Sequence, residues 1–406
     1  MPTSLLAKID QMEDEAVELH AKLVSIPAIG PANNGTGEKD KADFLTAYLK
    51  EKGFGEVKSY NAPDDRVECG YRPNLLTVIP GQDSSRTLWI ISHMDVVPLG
   101  DLSLWKTDPF TMVREGDALY GRGVEDNHQG LVSSVIAARA LLDAGVTPGI
   151  NLGLIFVSDE ETGSEYGLEY LLKEHEDLFR KNDLFLVPDF GSPDSTLVEI
   201  AEKSLIWLKV TVEGSQCHAS TPEQGVNSLV PAAAMIMEIP ELKFQFDAED
   251  ELFTPPYSTF EPTKKEANVD NVNTLPGKDV FYIDCRVLPS YDISEVIEQV
   301  KGMAQYVAEE YGVTTKVESV NKHQAAPPTP ADSEIVEKVL FAIKEVYNIE
   351  AKPGGIGGGT VAAHLRERGY QTVVWGTQLG QAHQPNETGS VKNTLGDAKV
   401  MALLPF

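Results

Sequence analysis

"RTLWIISHMDVV", residues 86–97, runs from apolar chain into a polar tip at His93 and Asp95. In an extended strand, residues two apart share a face, so imidazole and carboxylate would emerge together at its end. Burying both is costly unless they are used. The segment therefore predicts a strand that ends in chemistry. The texture repeats outward: "NLGLIFVS" (151–158) is a second apolar strand, and "LVSSVIAARALLDAG" (131–145) between them reads as a helix. Strand and helix alternate from residue 86 to about 190, the pattern of an α/β domain with a largely buried sheet. In such sheets the active groups gather at the carboxyl ends of the strands.

At "SLIWLKVTVEG" (204–214) the texture changes. An alternating strand is followed by a helix around 228–239, a polar Pro-rich stretch, the strand "DVFYIDCRVLP", a long helix from about 292 and the strand "TTKVESV". That order predicts a small α+β layer. "QAAPPTPAD" (324–332) reads as a linker, after which a helix and the strand "TVVWG" resume the first texture. The expected organisation is a discontinuous α/β catalytic domain, 1–204 and 324–406, with an α+β lid inserted at 205–323.

The 406 residues carry 62 Asp and Glu against 34 Lys and Arg, a formal charge of −28. Such a surface repels phosphate backbones and acidic membranes, so neither nucleic acid nor membrane is an expected partner. Most of these carboxylates serve solvation, and spacing alone singles out a few. Cys69, Cys217 and Cys285 lie far apart with no C-x-x-C arrangement, which fits a reducing cytoplasm. The N-terminus reads as an amphipathic helix rather than a signal peptide, and no segment is apolar enough to span a bilayer.

Four further polar punctuations follow strands of the first texture: "GRGVEDNHQG" with Asp126, "VSDEETGS" with Glu160 and Glu161, "FLVPDFGS" with Asp189, and "GQAHQPNE" with His383. Singly, each is an ordinary loop residue or helix cap. Together with His93 they supply imidazole and carboxylate ligands suited to Zn²⁺ or a similar divalent metal. Asp194 competes with Asp189, but Asp189 directly follows the apolar "LFLV". His128, at the start of a helix, reads as a surface or capping residue. "PGGIGGGTVAAHL" (353–365) does not fit a phosphate loop, because Thr360 stands where a dinucleotide fingerprint wants Gly or Ala and no Lys follows for a P-loop.

These segments, with "CHASTPEQGVN", "NTLPG" and "DCRVLP", resemble the co-catalytic zinc amidohydrolase and metallopeptidase superfamily, which includes dipeptidases, aminoacylases and succinyl-diaminopimelate desuccinylase. The resemblance implies a zinc-exopeptidase-like catalytic domain with a ferredoxin-like lid and dimerisation domain. It implies two divalent ions, zinc first and Co²⁺ or Mn²⁺ as alternatives: His93 and Asp189 on one, Glu161 and His383 on the other, Asp126 bridging. Asp95 would accept the second N–H of His93, Glu160 would be the general base, and His218 would donate to the oxyanion. In many relatives that His comes from a partner subunit, so a homodimer is expected. Asn273 would contact substrate, while Arg286 either contacts substrate or pairs with Asp284. Gly358 and Gly359 belong to a Gly-rich turn that lets substrate approach the backbone. The Arg with which this turn commonly ends is missing, and His364 stands nearby. The expected reaction is hydrolysis of dipeptides or short peptides, with deacylation of N-acyl amino acids as the alternative. A nucleotide-binding enzyme fails on loop spacing, and a non-catalytic relative fails because ligand set and base are both present.

Overall fold

The computed structural model describes residues 2–406. It separates into two compact units, one running to Ile200 and taking in Pro328–Gly354 and Thr360–Phe406, the other formed by Ala201–Pro327 with Gly355–Gly359.

The first unit is built on a mixed eight-stranded sheet, in the order Val57–Pro63, Tyr71–Ile79, Ile150–Val157, Asp83–His93, Leu184–Val187, Gln371–Val374, Leu197–Glu202 and Lys352–Ile356. At its centre, Asp83–His93 runs parallel to both Ile150–Val157 and Leu184–Val187, and Gln371–Val374 runs parallel to Leu184–Val187. Their carboxyl ends therefore share one edge. The middles of these central strands are apolar because both faces are covered: Leu88, Ile90, Ile91, Leu154, Phe156 and Phe185 are all buried. Helix His128–Ala144 is buried on nearly every side and ends at Gly145, whose φ of 60° is left-handed. Its first turn passes so close to the strand Leu184–Val187 that a Cβ on Gly130 would lie 2.4 Å from the Pro188 carbonyl oxygen. Glycine is what permits that approach.

The second unit is a four-stranded antiparallel sheet in the order Thr259–Lys265, Lys278–Val287, Ser204–Glu213, Thr314–His323, packed against helices Leu229–Glu238 and Ile293–Tyr311. Period-two burial of Ile206, Leu208, Val210 and Val212 meets the helical stripe Val296, Val300, Ala304 and Val307 in one core. Asp292 caps the long helix by accepting from the Ser294 N–H at 2.8 Å. Gly355–Gly359 cluster with this unit, although they fall within the segment 324–406 assigned from sequence to the other. Gly355 packs on Phe253, and the Ile356 carbonyl accepts the Lys203 N–H at 2.9 Å. No helix among the described residues is long and apolar enough to cross a membrane.

Candidate functional site

The central strand ends at His93, which is 2% exposed. Its Nδ1 donates to the Asp95 backbone carbonyl at 3.0 Å, which leaves Nε2 facing Asp126 Oδ1 at 2.9 Å and Asp189 Oδ1 at 3.2 Å. The Asp95 carboxylate faces this imidazole and reaches a second group as well. Its Oδ1 is 3.5 Å from His93 Nδ1, and its two oxygens accept the backbone N–H groups of Glu160 and Glu161, each at 3.1 Å. Asp95 thus holds the turn that presents the two glutamates.

That turn follows the strand Ile150–Val157 through Asp159, whose φ of 65° reverses the chain. The Asp159 carboxylate accepts from the Tyr166 N–H at 3.1 Å and from the Thr162 hydroxyl, and lies 3.3 Å from Arg72 Nη1. Arg72 is fully buried and makes a two-pronged pair with buried Glu38. Asp126 precedes helix His128–Ala144, and its peptide bond to Asn127 is cis. Asn127 Nδ2 donates to the Pro188 carbonyl and to Asp189 Oδ1, both at 2.7 Å, which fixes the Asp189 carboxylate after its strand. His383 reaches in from a loop, its side chain 56% exposed and its Nε2 3.0 Å from both Asp126 Oδ2 and Glu161 Oε2.

Two groups that could each hold a metal ion result: His93, Asp126 and Asp189, and Asp126, Glu161 and His383, the ligand atoms of each lying within 4.8 Å of one another. Asp126 belongs to both. Imidazole nitrogens with carboxylate oxygens suit a divalent cation such as zinc. Glu161 Oε1, buried and without a hydrogen-bond partner, fits the same role.

The electrostatics show how much negative charge converges here. Burial, and then the charges of Asp189, Glu161 and Asp126, push Glu160 well above the ordinary carboxylate range. Burial and Asp126 raise Glu161 to about 7. Hydrogen bonds donated to Asp126 and Glu161 raise His383 to about 10. Burial opposes charge on His93, but Asp189, Asp126 and Asp95 outweigh it and raise its pKa well above the usual value.

One expectation from sequence fails. His128 is neither surface nor cap: it is buried, with Nε2 2.8 Å from Nζ of buried Lys41, because its helix starts inside the core. Asp194, set aside in favour of Asp189, is exposed, bonds Thr196, and belongs to neither ligand group. Sequence reasoning also passed over Asn127, Asp159, Arg72 and Glu38. Asn127 and Asp159 carried a signal, being part of the quoted "GRGVEDNHQG" and "VSDEETGS".

The second unit carries the other candidates. His218 is exposed, on a two-residue strand paired with Thr274–Leu275, which brings it beside Asn273. Its Nδ1 accepts the Ser220 N–H at 3.1 Å, so in the neutral ring Nε2 bears the proton. Asn273 is exposed, and its carbonyl accepts the Ala219 N–H at 2.8 Å. Arg286 is committed to Asp284 through Nε at 2.8 Å and Nη2 at 3.1 Å, while Nη1 donates to the Gly357 carbonyl at 2.7 Å. The guanidinium braces the turn that holds Gly358 and Gly359.

Residues 89–405 match Peptidase family M20/M25/M40. The chain is 41% identical to an uncharacterised metallohydrolase of Methanococcus maripaludis, over 95% of this chain and 97% of that one. It is 26% identical to succinyl-diaminopimelate desuccinylase of Nitratiruptor sp., over 93% of this chain and 95% of that one. Among solved structures, human carnosine dipeptidase 1 superposes with a TM-score of 0.75 at 17% identity, covering 100% of this chain and 98% of that one.

Proposed function

Because the chain belongs to Peptidase family M20/M25/M40, a family of metal-dependent hydrolases acting on peptide or amide bonds, we propose that it cleaves dipeptides or short peptides at a centre of two divalent ions, zinc foremost. His93 and Asp189 hold one ion, Glu161 and His383 the other, and Asp126 is shared. The observation that carries this reading is the placement of Asp126 in both ligand groups, with Oδ1 toward His93 and Oδ2 toward His383.

When bound, two such ions would lower the pKa of the attacking water and polarise the scissile carbonyl. Glu160, beside ligand Glu161 but in neither ligand group, takes the proton from that water and passes it to the leaving amine. Asp95 keeps Glu160 and Glu161 in register through their N–H groups. His218, with its proton on Nε2, is the donor to the developing oxyanion. Arg286 acts indirectly, bracing the Gly-rich turn. A homodimer in a reducing cytoplasm completes the reading.

Asp at position 189, as in amino- and dipeptidases that the sequence resembles, and the fold likeness to carnosine dipeptidase 1 support a peptidase. The full-length similarity to a desuccinylase favours the second reading, a deacylase of N-acyl amino acids. A panel of dipeptides assayed beside N-acetyl and N-succinyl amino acids, with and without chelator, decides between them. Dipeptides are expected to exceed the acyl amino acids in kcat/KM by at least about tenfold, equivalent to roughly 1.4 kcal/mol. The reverse order replaces the peptidase with the deacylase. Undiminished turnover after complete metal removal sinks both.

A further inference from the structure

Two buried carboxylates that the proposed chemistry leaves unused stand next to, or four residues from, the shared and loop-borne ligands. We propose that Glu125 and Glu387 form a reciprocal clasp between the loops carrying Asp126 and His383, and that this clasp sets how tightly the Asp126–Glu161–His383 position holds its ion. The inference rests on the metal-centre reading above.

Residues 375–387, which bear His383, contain neither helix nor strand. The ends of this loop are tied down. The Thr377 N–H donates to Asp397 at 2.9 Å, and Asn386 accepts the Lys106 N–H at 2.7 Å and donates to the Leu104 carbonyl at 2.8 Å. Between these ties, Glu125 supplies the hold. It is fully buried, and its two oxygens each accept one backbone N–H, from Leu379 and from Gln381, two residues before His383.

Glu387 returns the hold from the other loop. Also fully buried, it accepts the Glu125 and Asp126 N–H groups on Oε1 at 2.9 and 3.0 Å, and the Gly123 N–H and Arg122 Nη1 on Oε2, both at 2.8 Å. Each carboxylate belongs to one loop and binds the backbone of the other, so the separation of Asp126 from His383 is set from both sides. Neither touches His93 or Asp189, which rest on strand ends and on Asn127. Glu125 and Glu387 are thus positioning residues with different reach. Glu125 governs only the loop of His383, whereas Glu387 governs the backbone of Asp126, which both ions share.

Replacing either Glu with Gln keeps the volume but turns an NH₂ toward N–H donors, so one half of each grip becomes repulsive. The full-length protein is stripped of metal and titrated with Zn²⁺ by calorimetry, and backbone amide hydrogen exchange is followed alongside. Wild type is expected to take two ions. Glu125→Gln is expected to keep the first within about twofold and to weaken the second by at least tenfold, the range of supporting-residue effects at metal sites. Glu387→Gln is expected to weaken both by at least tenfold. The Leu379 and Gln381 amides should exchange faster in Glu125→Gln, while those of Gly123 and Asp126 keep their protection. A merely structural role would instead weaken both ions together. Two ions bound as in wild type, or both lost equally, in Glu125→Gln overturns the clasp. Fewer than two ions in wild type overturns the metal reading first, before any variant is compared, and the inference with it. Should Glu125→Gln not fold, Glu125→Asp, whose shorter carboxylate cannot span both amides, is titrated for the same split.

Discussion

The two corners of the site that could each hold a metal ion are built by different means. His93 terminates the central strand and is 2% exposed, and Asp189 follows the next strand and is fixed by Asn127. Across Asp126, Glu161 rides on a single turn and His383 on an irregular loop, its side chain 56% exposed and its φ at 65°. The first corner follows directly from the sheet, because parallel strands deliver their ends to one edge. The second is assembled by carboxylates that grip backbone N–H groups: Asp95 for the Glu160–Glu161 turn, Glu125 and Glu387 for the loops. One fold thus offers a pre-set ligand pair and, 3.0 Å beyond the same aspartate, a pair whose geometry depends on side-chain ties.

The largest expected effect comes from the glutamate that serves neither corner as ligand. If Glu160 is the base, Glu160→Gln preserves both ligand groups and the N–H grip of Asp95 while removing the proton acceptor. A fall in kcat of at least about 10²-fold is expected, with metal content unchanged. Both are measured on one preparation, by steady-state kinetics and elemental analysis. Activity within a few-fold of wild type at full metal occupancy would assign the base elsewhere.

How far the sequence discloses this arrangement divides along the same line. The strand-end corner was legible because apolar runs ending in His93 and "LFLVPD" carry a local pattern, and the period-two and helical stripes of the inserted unit were legible for the same reason. The second role of Asp95 was not. The strand stops at His93, and the turn beyond it lets the Asp95 carboxylate also reach the N–H groups of the glutamate turn. Arg72 with Glu38 and Lys41 with His128 left no trace, and Glu125 and Glu387, though both fall inside the quoted "GRGVEDNHQG" and "GQAHQPNE", gave no sign of their mutual grip. Each joins residues remote in sequence, and in a chain with 62 acidic residues an isolated Glu has no spacing that separates a buried grip from a solvated surface. His128 was misplaced for a related reason: a polar residue at a helix start ordinarily caps, and only the depth of this helix in the core overrides that preference.

The contrast between corners predicts an order of metal loss. A ligand pair already in place binds without ordering a loop, whereas the His383 loop must be held in position for its ion. Increasing chelator is expected to withdraw one ion before the other. His383→Ala is expected to retain one ion per chain with wild-type affinity, while weakening the other by about 10-fold or more. His93→Ala should disturb the tighter ion instead. Metal analysis across a chelator series measures all three proteins. Simultaneous loss of both ions in every case would mean that the corners do not differ in strength.

The smallest effect lies behind the loop corner. The helix Val391–Leu403, which begins just past Glu387, is held partly through His20, whose Nε2 lies 3.2 Å from Thr394 Oγ1. That hydroxyl donates to the Ser390 carbonyl at 2.8 Å, so His20 donates to it from Nε2. Nδ1 is then a buried bare lone pair without a partner, and a proton there would be a buried, unpaired charge. Burial accordingly lowers the pKa of His20 to about 3. The unfolded chain binds this proton near pH 6.5 and the folded one only near 3, so stability is full above 6.5 and is lost as pH falls through that window, by roughly 1.4 kcal/mol per pH unit. His128, also held neutral by burial and by Lys41, contributes in the same direction. His20→Phe removes one of the two terms. At pH 7 it should be less stable than wild type by about 1 kcal/mol for the lost hydrogen bond, and by pH 5, where wild type has lost roughly 2 kcal/mol through His20, the order should have reversed. Urea midpoints of metal-free protein measured from pH 8 to pH 5 test this, and parallel curves for the two proteins would remove His20 from the acid response.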